Sequence, residues 1–228
     1  MRRRRLVDPF CGAGGASRGY QLAGFHVTGI DIADQPNYVG DEFIQADAVE
    51  LLSDSAFMAQ FAAAAGSPPC QGYSKMTRCR PGLAAEYPKL IEVVRNLYRA
   101  WGGPWIIENV EGSGLPGQDD LFGAYGVMLC SCMFGRELYR ARWFEASFPL
   151  GPAPFHPRHD KPASKAGHWK PGTVMSIAGH CSPIGKAREL MGIDWPATRD
   201  ELVEAIPPYM TEHLGVVLLE HLAAKEAA

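Results

Sequence analysis

Cys70 stands in the stretch "SPPCQGYS", behind two prolines and ahead of Gln71 and Gly72. A lone cysteine is most often a small buried hydrophobe. Two prolines fix two φ angles and bias their neighbours, so this loop costs little entropy to order. That rigidity suits a nucleophile, whose attack geometry governs its rate, and whose reactive form is the thiolate. Three further groups could serve such chemistry. Glu108 ends the apolar run "IIENV", where burial would raise its pKa and make it a proton donor. Arg140 and Arg142 in "LYRARWF" fall on one face of a strand at period 2 and suit an anion or a carbonyl. Taken singly, Glu108 reads first as a surface carboxylate at a strand end, and the arginine pair reads equally as a solvated strand face.

The stretch "DPFCGAGGASRG", Asp8 to Gly19, lies between a strand-like run and a helix-like one. Glycines there let backbone approach a ligand closely and leave helix-start N–H groups free. Asp31 and Asp47 follow the next two strand-like runs, and an acid in the first of these places can accept from ribose hydroxyls. A nucleoside-bearing cofactor is the expectation. Gly12 and Gly14 begin a dinucleotide fingerprint, but Ser17 stands where its third glycine belongs, which disfavours a nicotinamide enzyme.

The elements that must carry these residues alternate. "RLVDPF", "HVTGIDI", "DEFIQADAVELL" (ending near Asp47), "FAAAAGSPPC" and "PWIIENV" read as strands, while "YQLAGF" and "EYPKLIEVVRNLYRAWGG" read as helices. Leu90, Val94, Leu97 and Trp101 repeat at helical spacing before Gly102-Gly103-Pro104. "GVMLCSCMFGRELYRARWFEASF" reads as two strands around a turn. Residues 148–175 are rich in proline, histidine and lysine without periodicity, and read as a long surface loop. "SPIGKARELMGI" and "TRDELVEAI" are short helices, the second with Thr198 and Glu201 as a capping box. "MTEHLGVVLLEHLAAK" is a final amphipathic helix. The alternation implies an α/β fold with a doubly wound, mostly parallel sheet.

Bulk properties narrow the field. The 228 residues suit one such domain, and no apolar run is long enough to span a membrane. A net charge of −3 argues against binding nucleic acid mainly through many phosphate contacts. Arg2 to Arg5 form a basic cluster with no apolar stretch behind it, so a cytoplasmic chain with a solvated, frayed start is expected. The six cysteines (Cys11, Cys70, Cys79, Cys130, Cys132, Cys181) contain no CxxC pair and are expected reduced. His156, His159, His168, His180 and Cys181 are too loosely spaced to predict zinc, and no metal is expected.

In this order the motifs resemble the cytosine-C5 DNA methyltransferase family. "DPFCGAGGASRG" is similar to its cofactor motif, with Pro9 in place of the usual leucine; "GSPPCQGYS" to its nucleophile motif; "ENV" to its acid motif; and "RARWF" to its arginine motif. "EAIPPYMTEHLG" is similar to the closing segment of short, often phage-encoded members, and lacks the commoner Gly-Asn-Ser version. The resemblance implies methyl transfer from S-adenosyl-L-methionine to C5 of cytosine in DNA. Cys70 would add to C6, Glu108 would protonate N3, and Arg142, supported by Arg140, would meet the base carbonyl. Phe10, Gly12, Ala13, Gly14, Gly15, Asp31 (ribose), Ile32, Asp47 (adenine amino group), Ala48, Pro68 and Glu212 would bind the cofactor, while Tyr209 and Thr211 share the closing segment. It implies residues 1–147 as the catalytic core, 148–175 as a reduced recognition region, and 176–228 as a C-terminal segment completing the core. Because "FHPRHDKPASKAGHWK" is short, single-stranded DNA, RNA or a free nucleotide stays open as substrate, and so does a non-catalytic binding module that needs a partner. The same stretch reads either as a contact to phosphates and bases or as a mobile polar loop.

Overall fold

The computed structural model describes residues 2–69, 90–115, 125–164, 168–177 and 181–227. Seven strands form one sheet: β1 (Arg5–Pro9), β2 (His26–Asp31), β3 (Glu42–Gln45), β4 (Ala63–Gly66), β5 (Trp105–Asn109), β6 (Tyr125–Cys130) and β7 (Ala141–Ala146), in the order β3-β2-β1-β4-β5-β7-β6. The five strands β1 to β5 are parallel to one another, and β7 is antiparallel to both β5 and β6. The order reverses between β1 and β4. Ligands of open α/β sheets bind at such a switch point, beyond the carboxyl ends of the strands.

Strand alternation divides the core. Leu6, Ala63, Ala65 and Ile106 face one layer, filled by α1 (Gly15–Ala23) and the last helix. Val7, Ala64 and Ile107 face the other, filled by α2 (Ala48–Ser53), α3 (Ser55–Met58) and α4 (Leu90–Trp101). Runs apolar on both faces are what a parallel sheet covered by helices requires. The helix α4 ends at Gly102, whose φ of 79° no β-carbon-bearing residue adopts readily.

Two short helices, α5 (Ile184–Met191) and α6 (Arg199–Glu204), build a third cluster around Leu190, Met191 and Leu202. The capping box of α6 is present: Thr198 Oγ1 accepts from Glu201 N at 3.3 Å, and Glu201 Oε2 accepts from Thr198 N at 2.6 Å. The last helix, α7 (Pro208–Ala227), buries Met210, Leu214, Leu218 and Leu222, one residue per turn, in the first layer. It crosses α1 closely, with the Gly19 α-carbon lying against Pro208 and Thr211. Among the described residues no helix is long and apolar enough to cross a membrane.

One expectation is corrected and two are refined. The expected strand ending near Asp47 is β3. It breaks after Gln45, and Asp47 caps α2, accepting from Val49 N at 2.7 Å. The N-terminal arginines are not frayed: Arg3 pairs with Asp41 and Arg4 with Glu226, and Arg5, already in β1, pairs with Glu42 at 2.7 Å. The described part of residues 148–175 is irregular and largely exposed, as a surface loop or insertion should be, but its ends are anchored. Phe148 and Leu150 are buried in the first layer and Met175 in the third cluster. Short bridges join Ala163 to Val174 and Met175 to Leu138.

Candidate functional site

A cleft of about 940 Å³ opens at the switch point. The loop after β1 forms its floor. Phe10 has φ 61°, a left-handed conformation that a bulky residue holds only when its surroundings impose it, and Gly12 follows at φ 49°. Gly12 N donates to Asp31 Oδ2 at 3.0 Å, and Ala33 N donates to Asp31 Oδ1 at 3.0 Å. The two donors aim the carboxylate and leave it lone pairs for a ligand. Ile32 is 74% exposed beside it, an apolar shelf at the cleft wall. Asp47, Ala48, Val49 and Pro68 continue that wall.

The structure therefore brings Phe10, Gly12, Ala13, Gly15, Asp31, Ile32, Asp47, Ala48 and Pro68 to one cavity with Glu108 and Arg142. Two expected residues are not in its walls. Gly14, at φ 87°, packs against Tyr38 and Val39, and its work is to turn the chain into α1. Glu212 lies on α7, where its backbone N is packed against Gly19 of α1. Val203, Glu204, Ala205 and Ile206 close the cleft instead, just upstream of the motif's last residues. A β-carbon on Gly15 would stand 2.6 Å from the Ile206 carbonyl, so the glycine lets the loop and this segment meet. Tyr209 and Thr211 are structural: Tyr209 Oη donates to Ser131 Oγ at 2.8 Å, and Thr211 Oγ1 to the Ala16 carbonyl at 2.9 Å.

Glu108, 7% exposed, ends β5 inside the cleft, with Arg142 Nε 2.9 Å from its Oε1. That Oε1 is buried without an aligned hydrogen bond, so the contact is a charge pairing that leaves an acceptor position open. Burial pushes the Glu108 carboxyl above its ordinary range, against the opposing pull of Arg142, Arg140 and a Ser67 hydrogen bond. The paired arginines of the sequence do different work. Arg142 faces Glu108, whereas Arg140 donates to the carbonyls of Ile177, Val203 and Ala205, at 2.9, 2.6 and 2.7 Å. Arg140 thus holds the closing segment in place.

Asp8, quoted in the glycine motif but given no role from sequence, is buried at the end of β1 and lines the same cleft. Burial raises its pKa to about 7, helped by Asp31 and Glu108 and opposed by a hydrogen bond from Ser17 Oγ. Position at a strand's carboxyl end was the signal available for it. Cys11 also lines the cleft, but burial and the neighbouring Asp8 and Asp31 push its thiol up, the opposite of what a nucleophile needs.

Cys70 and Cys79 lie outside the described residues. The approach to Cys70 is described as far as Pro69. Ser67 N donates to the Pro9 carbonyl at 3.4 Å, Asn109 Nδ2 donates to the Pro68 carbonyl at 2.8 Å, and Pro69 is in the cleft wall. His180 also lies outside. Cys11, Cys130, Cys132 and Cys181 are free thiols. Cys130 and Cys132, on and just beyond the end of β6, meet His156 and His159, a gathering that the sequence reading missed. The C-x-C and H-x-x-H spacings were its only trace.

A mostly parallel sheet with one reversed strand, β7, between β5 and β6, and with a glycine loop at the switch point, is the fold of S-adenosyl-L-methionine-dependent methyltransferases. Solved structures agree. The chain is similar to a DNA modification methyltransferase encoded within an E. coli prophage, at 15% identity, covering 97% of this chain and 99% of that one with a TM-score of 0.63. It is equally similar to S. pombe Dnmt2 methyltransferase, at 16% identity, 97% and 99% coverage and a TM-score of 0.63. The Entamoeba histolytica methyltransferase EhMeth matches at 13% identity with the same coverage and score. No protein-family model and no curated protein sequence matches the chain.

Proposed function

We propose that the chain is a methyltransferase that modifies C5 of cytosine in DNA through a covalent adduct at Cys70. The observation that carries this reading is the cleft itself: a buried carboxyl, Glu108, paired with Arg142 across from the glycine loop, at the end of the strand that anchors the approach to Cys70.

S-adenosyl-L-methionine fits the residues present. Asp31 offers ribose an oriented carboxylate, and Ile32, Val49 and Pro68 offer apolar contact to an adenine ring. Asp31, Asp47 and Glu201 line the cavity with carboxylates, which favours a cationic ligand. When bound, the cofactor supplies an electrophilic methyl group on a sulfonium. The chain's own residues would do the rest. The Cys70 thiolate would form a bond to C6. Glu108, whose burial favours the protonated form, would give a proton to N3 as electron density moves into the ring. Arg142 would then balance the carboxylate left on Glu108 and meet the base carbonyl. After methyl transfer, a base would take the C5 proton, the Cys70–C6 bond would break to release the thiolate, and N3 would return its proton to Glu108. Those ring faces are stacked inside a duplex, so the base must be extruded at a cost of a few kcal/mol.

The test is transfer of labelled methyl groups to duplex DNA, single-stranded DNA, RNA and cytosine mononucleotide, with 5-fluorocytosine DNA as a trap. The expected result is label in DNA and a covalent adduct that Cys70→Ala abolishes. Label confined to mononucleotide would overturn the DNA reading, and cofactor binding without any adduct or transfer would make the chain a binding module.

A further inference from the structure

We propose a structural zinc site formed by Cys130, Cys132, His156 and His159, which fastens the insertion after β7 to the end of β6. Their ligand atoms all lie within 4.8 Å of one another. The three separations that meet at His159 Nε2 match tetrahedral edges. Zinc bonds of about 2.3 Å to sulfur and about 2.0 Å to nitrogen require S···N edges near ~3.5 Å and an N···N edge near ~3.3 Å. The observed values are 3.6 Å for Cys130 Sγ to His159 Nε2, 3.3 Å for Cys132 Sγ to His159 Nε2, and 3.2 Å between the two Nε2 atoms.

Hydrogen bonding does not account for this cluster. An imidazole Nε2 carries either one hydrogen or one lone pair, so it has one good partner, yet three heavy atoms converge on His159 Nε2. A shared centre satisfies all of them at once. Two thiolates and two neutral imidazoles neutralise a divalent ion, and an S₂N₂ set of closed tetrahedral form selects zinc. The surroundings orient the ligands. The Tyr139 ring stacks on His159 at 3.8 Å, and Tyr139 Oη donates to the Lys161 carbonyl at 3.1 Å. Lys161 Nζ also pairs with Glu137 at 2.7 Å. Cys130 is in register with Ala141 on β7, next to Arg142, so the ion would tie residues 156–161 to the strand edge that bears the cleft arginine.

The experiment is elemental analysis of the full chain purified without chelator, followed by cobalt titration of chelator-stripped protein. About one zinc per chain is expected, with cobalt giving the intense tetrahedral and thiolate charge-transfer bands. Cys132→Ser and His159→Ala should lose the metal, while His168→Ala, outside the cluster, should keep it. Stripping should speed proteolysis within 150–164 about tenfold as that segment loses its anchor. Wild-type protein that carries no metal and takes up neither ion with thiolate ligation would overturn the proposal. So would full zinc retention in Cys132→Ser and His159→Ala, or a different ion in the same ligands. Should a variant fail to fold, as judged by circular dichroism, the cobalt spectrum of the wild-type chain decides. None of these readouts depends on methyl transfer.

Discussion

Glu108 and Asp8 are both buried carboxyls with raised pKa values in one cleft, and their neighbours separate their roles. Glu108 has Arg142 to receive the charge it would develop, so it can lose a proton during reaction. Glu108→Gln is expected to lower kcat by about 10²–10⁴-fold with little change in KM, measured under single-turnover conditions. In the wild type the rate should fall as pH rises through the raised Glu108 pKa, because only the protonated form donates. Asp8 has the Ser17 hydroxyl but no cation among its pKa influences, so its burial acts on stability. Its pKa rises from 3.8 in the unfolded chain to about 7, so the folded state binds the extra proton between those values. The associated stability is complete below pH 4 and is lost as pH climbs through 7. Asp8→Asn, whose amide oxygen still accepts from Ser17, should therefore stabilise the fold at pH 8 by on the order of 3 kcal/mol and far less at pH 5, read from urea unfolding at both values.

At the scale of elements, two clamps position the site from behind. Arg95 on α4 grips Glu145 of β7 through two hydrogen bonds, at 2.7 and 2.6 Å, in a place where both side chains are buried. Removing Glu145 leaves the buried Arg95 only its pairing with the exposed Glu92 at 2.6 Å, so Glu145→Ala should cost about 3 kcal/mol in unfolding free energy, seen as a lower urea midpoint. Asn109 holds the loop that leads to Cys70 by its bond to Pro68. Asn109→Ala should lower kcat by about 10–100-fold through lost attack geometry, with a stability loss of only about 1–2 kcal/mol, measured as transfer rate against thermal midpoint. Of these elements the sequence announces those with strong period. The helix α4 is legible from Leu90, Val94 and Leu97, β5 from its apolar run, and the capping box of α6 from Thr198 and Glu201. Less legible are features made by tertiary contact. Arg140 has the same strand spacing as Arg142 but finds three carbonyls from distant segments. Asp47 follows a strand-like run but is taken by a helix start. The Cys130–Cys132 pair and the His156–His159 pair are more than twenty residues apart, and the return of the insertion to the end of β6 unites them.

Across the whole molecule, charge is spent internally. The net charge is −3, and three of the four arginines at the start of the chain are paired with Asp41, Glu226 and Glu42. Lys161 in the insertion pairs with Glu137, and Lys186 with Glu189. A DNA-binding surface gains affinity by displacing counterions from phosphates, and each phosphate neutralised adds about −0.9 to the slope of log K against log salt. Each described cation held by an acid of the chain itself is one fewer to offer a phosphate. On the proposed DNA reading, association should rest on the flipped base and the cleft more than on the backbone. The salt slope for duplex DNA should then lie near about −3, far from the about −10 of a strongly electrostatic binder. Equilibrium binding of a fluorescent duplex over a range of salt concentrations gives the slope directly. Arg3→Ala and Arg4→Ala should leave it unchanged within error, because those guanidiniums face Asp41 and Glu226 and not a phosphate. A steep slope that falls by about one unit in either variant would show that the N-terminal pairs open to meet DNA.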